Sequence, residues 1–173
     1  DRFYYLLMDE TDIVTGRHLK KIPKAVAEIC EGLKKKPSVV MICITCVDAL
    51  LGTDMERVCH KAEEYAGVPV RPCYMYALTR EGRKPPMVHV RQSVYSLLEP
   101  KKKKGNVVNL LGYFSPLTDD CELYDLLHSA GIKTIHEISR CRDFEEYKTM
   151  SEANFNLVLH QESRFAAEDF NDR

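Results

Sequence analysis

The fold class is decided by the stretch Val39-Val40-Met41-Ile42-Cys43-Ile44-Thr45-Cys46-Val47-Asp48-Ala49-Leu50-Leu51-Gly52. Residues 39–44 form a continuous apolar run, which is typical of a strand buried on both faces of a parallel sheet. After this run, Val47, Leu50 and Leu51 recur at a spacing that places them on one face of a helix. The stretch therefore predicts a strand that passes directly into a helix.

The same alternation recurs along the chain. Short apolar runs predict strands at 3–8, 39–44, 68–75, 107–114, 132–135 and 155–159. Helical spacing predicts helices at 47–62, around 90–98 and at 144–150. A further helix should begin near Ile22, because Pro23 is acceptable only in a first turn, and another near Glu162. Asp119 or Asp120 is the expected N-cap of a helix that ends at Gly131. Strands that alternate with helices imply right-handed β-α-β crossovers. We therefore predict an α/β fold of flavodoxin-like or Rossmann-like type, with parallel sheets covered by helices.

The best candidate for a domain boundary is the charged stretch Pro100-Lys101-Lys102-Lys103-Lys104-Gly105, which is bounded by Pro and Gly. We predict a first α/β domain at 1–100 that lacks its N-terminal part, a lysine-rich linker at 101–105, and a second α/β domain at 106–173 that is incomplete at its C-terminus. The chain starts at Asp1 without a Met, so we expect a piece cut from a larger polypeptide.

Composition excludes several classes of partner. A net charge of −1 gives no reason to expect nucleic acid or an anionic membrane as a partner. No apolar run approaches the roughly 18 residues of a membrane span. The seven cysteines are odd in number, and several lie within apolar runs rather than in loops. This distribution argues against a secreted disulfide framework and predicts a cytoplasmic, reducing compartment.

The turn at Thr45-Cys46 is the main candidate site, because ligands of parallel sheets gather where strands end and helices begin. Thr45 and Asp48 have the spacing of a capping box, which would place Cys46 at the first helical position. A thiol there faces unpaired backbone N–H groups and the positive end of the helix dipole, both of which favour the thiolate. Cys43 falls inside the apolar run, so we expect it to be buried. Glycine-rich phosphate-binding fingerprints are absent from the sequence.

Three interpretations of Cys46 remain open on spacing alone. Cys43 and Cys46 could form a dithiol redox pair, although one would lie in the strand and the other on the helix. They could also contribute to a structural zinc site, but such sites need four ligands and the sequence has no second C-x-x-C pair. Finally, Cys46 could be a small residue that packs under the edge of the sheet.

The residues around this turn resemble component 1 subunits of nitrogenase and nitrogenase-like oxidoreductases, in which T-C-x-x-x-[IL]-[IL]-G-D-D follows a buried strand. Further segments are similar to that family in the same order, and together they cover nearly the whole chain: residues 12–17, 64–70, 109–112, 126–132 and 156–160. The resemblance implies flavodoxin-like domains, paired homologous subunits, iron–sulfur clusters at their interface and an ATP-dependent iron protein as electron donor. By position, Cys46 matches a cysteine that ligates a cluster, which needs thiolates. The other ligands would lie outside this chain, so the piece alone should not hold a cluster well.

Two departures from the family pattern bear on function. The G-D-D element reads Gly52-Thr53-Asp54, and Gln161 stands where the resemblance places a cofactor-anchoring cysteine after His160. An amide is a poor ligand for iron in a sulfide cluster. We therefore expect electron transfer through an iron–sulfur cluster to a substrate other than dinitrogen, in a complex that is active only at full length.

The alternatives are a scaffold for metallocluster assembly and a ligand-binding α/β module without redox chemistry. His89 and His160 are candidates to line a substrate pocket, but histidines in such positions are more often structural.

Overall fold

The computed structural model of the chain describes residues 2–44, 46–75 and 85–171. These residues form two compact units, which divide between Leu78 and Thr79. This division differs from the predicted ranges 1–100 and 106–173. The helix at Pro86–Tyr95 packs within the second unit, and the lysine-rich stretch leads straight into a strand that begins at Lys104.

The first unit contains two parallel strands and four helices among its described residues: α1 (Glu10–Val14), α2 (His18–Gly32), β1 (Val40–Ile44), α3 (Cys46–Leu51), α4 (Met55–Ala66) and β2 (Val70–Tyr74). Buried side chains of α2 and α4, including Val26, Cys30, Cys59 and Ala62, pack against each other and against Val70. Burial raises the pKa of the Cys59 thiol to about 12, so this cysteine behaves as a small apolar core residue.

Three predictions for the first unit are wrong. Residues 3–8 form no strand, and Phe3, Tyr5 and Leu7 are more than 80% exposed. Helix α2 begins at His18 instead of near Ile22, because carbonyls of Gly16 and Arg17 accept the first amides and complete a turn before Pro23. The predicted continuous helix at 47–62 is two helices.

The break between α3 and α4 has a local cause. Gly52 adopts a left-handed conformation with φ of 65°, which suits glycine and stops α3. Asp54 then caps α4 by accepting the Arg57 N–H at 3.0 Å. Helix α4 ends at Ala66, since its C-cap Gly67 is also left-handed with φ of 61°.

The second unit contains a three-stranded parallel sheet in the order β4-β3-β5. Its elements are α5 (Pro86–Tyr95), β3 (Lys104–Leu111), α6 (Glu122–Ser129), β4 (Thr134–His136), α7 (Phe144–Lys148), β5 (Ala153–Val158) and α8 (Arg164–Asn171). The core brings Tyr95 and Leu98 against Leu111, Met150 and Phe170. The predicted α/β fold with parallel sheets and flanking helices is confirmed.

The N-cap predicted for α6 is wrong. The capping position is Cys121, without a side-chain hydrogen bond. Asp119 instead accepts Arg140 Nη2 at 2.7 Å, and the same arginine donates through Nε to buried Glu137 at 3.1 Å. Glu137 also accepts the Leu117 N–H at 3.0 Å. Charge pairing with Arg140 therefore links the loop after β3 to Glu137, and Asp119 lies two residues before the capping position.

Candidate functional site

Cys46 is the first residue of α3 and its free thiol is exposed, so the predicted position at the start of a helix is confirmed. Asp48 lies in the first turn of α3 and is buried. The Thr45 half of the predicted capping box lies outside the described residues. Val47, Leu50 and Leu51 are 44%, 72% and 52% exposed, so α3 presents an apolar surface beside the thiol.

A cavity of about 240 Å³ lies between α3 and the segment that precedes α2. It is lined by Leu6, Leu7, Met8, Ile13, His18, Val47, Asp48 and Leu51. His18 is only 4% exposed; its Nδ1 lies 3.1 Å from the Asp12 carbonyl, while Nε2 is a buried atom without a hydrogen-bond partner. The turn at Cys46 therefore adjoins an apolar cavity with two buried polar residues in its wall.

Cys43 is exposed, so the prediction of a buried strand residue is wrong. Side chains alternate along β1, and Ile42 and Ile44 face the helices, which leaves Cys43 on the other face. Its sulfur lies 4.0 Å from Met75 Sδ and interacts with the thiol of Cys73, its neighbour on β2. Burial raises the pKa of the Cys73 thiol to about 11, and the adjacent Cys43 is a smaller cause of the same shift.

Cys43 thus neighbours Cys73 on β2 and contacts Met75, which follows that strand. Across the parts of the chain that the structure describes, no group of three or more His, Cys, Asp or Glu side chains is placed to hold a metal ion. A structural zinc site built from Cys43 and Cys46 therefore finds no further ligands there.

A second edge lies where β3 and β5 end. A Cβ atom on Gly112 would lie 2.9 Å from Leu159 Cβ and 3.1 Å from the backbone N of His160. Only glycine therefore lets the segment after β3 approach the segment after β5 this closely. His160 is half-buried, packs edge-on against Tyr113 with ring centres 5.5 Å apart, and accepts the Glu162 N–H at 3.3 Å.

Arg91 closes this edge and was not predicted from the sequence. Its side chain, 7% exposed, donates through Nε and Nη2 to the Gly112 carbonyl at 3.1 and 2.9 Å. Its Nη1 pairs with Glu162 at 2.8 Å. The available signal was spacing, because Arg91 lies three residues after Val88 and four before Tyr95, on the buried face of α5. A charged residue on such a face needs a buried partner.

The remaining candidates occupy peripheral positions. Gln161 is exposed at the start of a short 3₁₀ helix, and His89 is a half-buried residue of α5. Asn109, in contrast, is 1% exposed and donates to the Met150 carbonyl at 2.9 Å and to Asn156 at 2.7 Å. Asn109 and Asn156, which both lie in segments that resemble the family, thus join β3 to β5 and have a structural role.

Comparison with known proteins decides the family. The model of the family described as "Nitrogenase component 1 type Oxidoreductase" matches residues 2–173. The chain belongs to this family. The predicted resemblance is confirmed over nearly the entire sequence.

The family's curated relatives include the "Nitrogenase iron-molybdenum cofactor biosynthesis protein NifE" of Nostoc sp., 29% identical over 155 residues that cover 88% of this chain and 32% of the relative. The protein of the same name from Rhizobium meliloti is 31% identical over 127 residues, covering 72% of this chain and 26% of the relative. A "Nitrogenase molybdenum-iron protein alpha chain" from Methanosarcina barkeri is 24% identical over 156 residues, covering 88% of this chain and 29% of the relative. The chain therefore spans about a third of the length of the curated relatives it matches.

Among solved structures, "Nitrogenase Cp1 at pH 5" superposes with a TM-score of 0.67 at 23% identity, covering 95% of this chain and 33% of that one. At this identity the match shows the fold. Among the described residues, the helices are too short or too polar to cross a membrane.

Proposed function

We propose that this chain is part of a metallocluster assembly scaffold, which holds an iron–sulfur cluster or its precursor and passes it on. The observation that carries the proposal is the name shared by the relatives from Nostoc sp. and Rhizobium meliloti, which describes cofactor biosynthesis. Gln161 supports the same choice: it is exposed and offers an amide where the resemblance places an anchoring cysteine. A scaffold must release its cargo, and weak anchoring favours release.

Cys46 is the residue we propose as a cluster ligand. Its thiol is free and exposed at the first residue of α3, and cysteine sulfur is the protein ligand that binds iron in such clusters. Because the described residues hold no further group of ligands, we propose that the others come from the rest of the protein and from a homologous component 1 subunit. The exposed apolar face of α3, with Val47, Leu50 and Leu51, suits contact with such a subunit.

The ligand role is tested in the full-length protein, purified anaerobically with its partner subunit, by measuring iron and acid-labile sulfide. We expect Cys46→Ala to lose most of the iron. The matched control is Cys121→Ala, which removes a half-exposed free cysteine next to a helix in the other unit and should keep the wild-type iron content. Equal iron in both variants would exclude Cys46 as a ligand.

A second candidate is electron transfer to a substrate, with an ATP-dependent iron protein as donor. The family description and the Methanosarcina relative favour it. The two functions separate when the protein is loaded with radioactive iron and mixed with a cluster-free component 1 protein. A scaffold transfers its label to the acceptor, whereas an oxidoreductase keeps its label while it is reduced. Retention of all label would contradict the assembly function.

A further inference from the structure

Three sulfur atoms meet beside the carboxyl end of the first sheet. Cys43 on β1 pairs directly with Cys73 on β2, and Met75 follows two residues after Cys73. Paired residues of parallel strands, and residues two apart, share a face of the sheet. Ile44 and Tyr74 point to the opposite face, where they pack with Ile22, Met55 and Val58. The three sulfur-bearing side chains therefore lie together on the face away from α2 and α4.

The spacing of the sulfur atoms suits a single small ion. The sulfurs of Cys43 and Met75 are 4.0 Å apart, and Cys43 is paired with Cys73 across β1 and β2. An ion bonded to three sulfurs in one plane at about 2.3 Å holds those sulfurs about 4 Å apart. The separation of the Cys43 and Met75 sulfurs therefore equals the spacing of two ligands in a trigonal site.

The kind of ligand selects the ion. Two thiols and one thioether are soft donors, which select Cu(I) over cations that prefer oxygen or nitrogen. Zn²⁺ takes four ligands, and the described residues offer no group of three or more His, Cys, Asp or Glu side chains here. Cys43 is exposed and Met75 is 57% exposed, so an ion can reach the site from solvent.

We propose that Cys43, Cys73 and Met75 form a binding site for a soft monovalent cation of the Cu(I) type. The ion enters as Cu(I), each thiol that binds it releases one proton, and no electron is transferred. The site uses neither Cys46 nor a partner subunit, so it stands apart from the proposed cluster scaffold.

The test is a competition for Cu(I) between the chain and bicinchoninate under anaerobic conditions, with the coloured Cu(I)–bicinchoninate complex as the probe. The wild-type chain should withdraw one Cu(I) per molecule, and X-ray absorption should show three sulfur neighbours at about 2.3 Å. Loss of an outer-shell partner alone lowers metal affinity roughly 10- to 100-fold, so loss of a direct ligand in Cys43→Ala should lower it at least that much.

Met75→Leu keeps the size of the side chain without its donor, and should reduce the sulfur count from three to two with weaker binding. Both replaced residues are exposed, so unfolding is not expected, and far-UV circular dichroism checks this. Cys121→Ala, which removes a free cysteine of the second unit, is the control that should bind Cu(I) like the wild type. Wild-type affinity in Cys43→Ala or Met75→Leu, or loss of binding in Cys121→Ala, would overturn the proposal.

Discussion

Replacing Gly112 with alanine tests whether the edge of the second sheet depends on the close approach of two backbones. The added Cβ would lie 2.9 Å from Leu159 Cβ and 3.1 Å from His160 N. A backbone nitrogen cannot rotate away, so β3 and the residues after β5 must move apart. Gly112 is not among the glycines with positive φ, so the cost comes from this contact and not from backbone conformation.

The expected cost follows from two opposing terms. Forcing an extra methyl group into a packed site costs about 1–3 kcal/mol. Replacing glycine with alanine also restricts the unfolded chain, which contributes about 0.4–1 kcal/mol in favour of folding. The net loss of unfolding free energy should be about 1–2 kcal/mol. The same movement would pull the Gly112 carbonyl from Arg91, which now donates to it at 2.9 and 3.1 Å.

Gly105→Ala is the matched control, because Gly105 lies in β3, which ends one residue before Gly112, and its added Cβ would meet nothing within 4 Å. Hydrogen–deuterium exchange with mass spectrometry reads peptides from β3 and β5, so it reports on the second unit by itself. A loss of one or two kcal/mol should accelerate exchange that requires unfolding of this unit roughly 5- to 30-fold. Similar exchange in the Gly112 and Gly105 variants would refute the argument from close approach.

Three further perturbations have defined outcomes. Arg91→Met should lower the unfolding free energy by about 3 kcal/mol in urea denaturation, because it removes the guanidinium hydrogen bonds to the Gly112 carbonyl and to the partly buried Glu162. Adding Glu162→Gln should then cost little more. Burial lowers the pKa of His136 below its ordinary 6.5, so the folded protein binds this proton less tightly than the unfolded chain. This contribution to stability is present above pH 6.5 and is lost as the pH falls through the lowered value, so His136→Gln should reduce the decline in thermal stability on acidification. Asp54→Ala removes the cap of α4 and should cost about 0.5–2 kcal/mol, seen as faster exchange in α4 with β3 unchanged.

The sequence predicts these parallel strands because each contains a run of apolar residues, which favours an extended chain that is at least partly buried. Residues 40–44 and 104–111 form strands where such runs occur, with a displaced start in the second case. The run at 3–8 has equal apolar character and forms no strand, since it pairs with no strand among the described residues. The apolar composition of a segment indicates its tendency to be buried. Whether the segment forms a strand depends also on whether another strand lies beside it to pair with.

The candidate site was predictable where it depends on local chain geometry. The position of Cys46 follows from the junction of a strand and a helix, and α3 begins there. The exposure of Cys43 depends on which face of β1 the helices cover, and the apolar run does not reveal that face. The hydrogen bonds from Arg91 to the Gly112 carbonyl join residues far apart in sequence. Helical spacing could therefore mark Arg91 as unusual but could not identify its partner.

Several segments that carry the family resemblance hold the sheet together. Asn109 and Asn156 join β3 to β5, and Gly112 makes room for Leu159 and the backbone of His160. An assembly scaffold and an electron-transfer subunit both need this sheet, so these segments identify the family without separating the two functions. Cys46 and Gln161 follow their strands and remain accessible, so we propose that the chemistry of a cluster site depends on these two positions. Substitutions at those two positions should therefore alter metal content while the exchange of β3 and β5 stays unchanged.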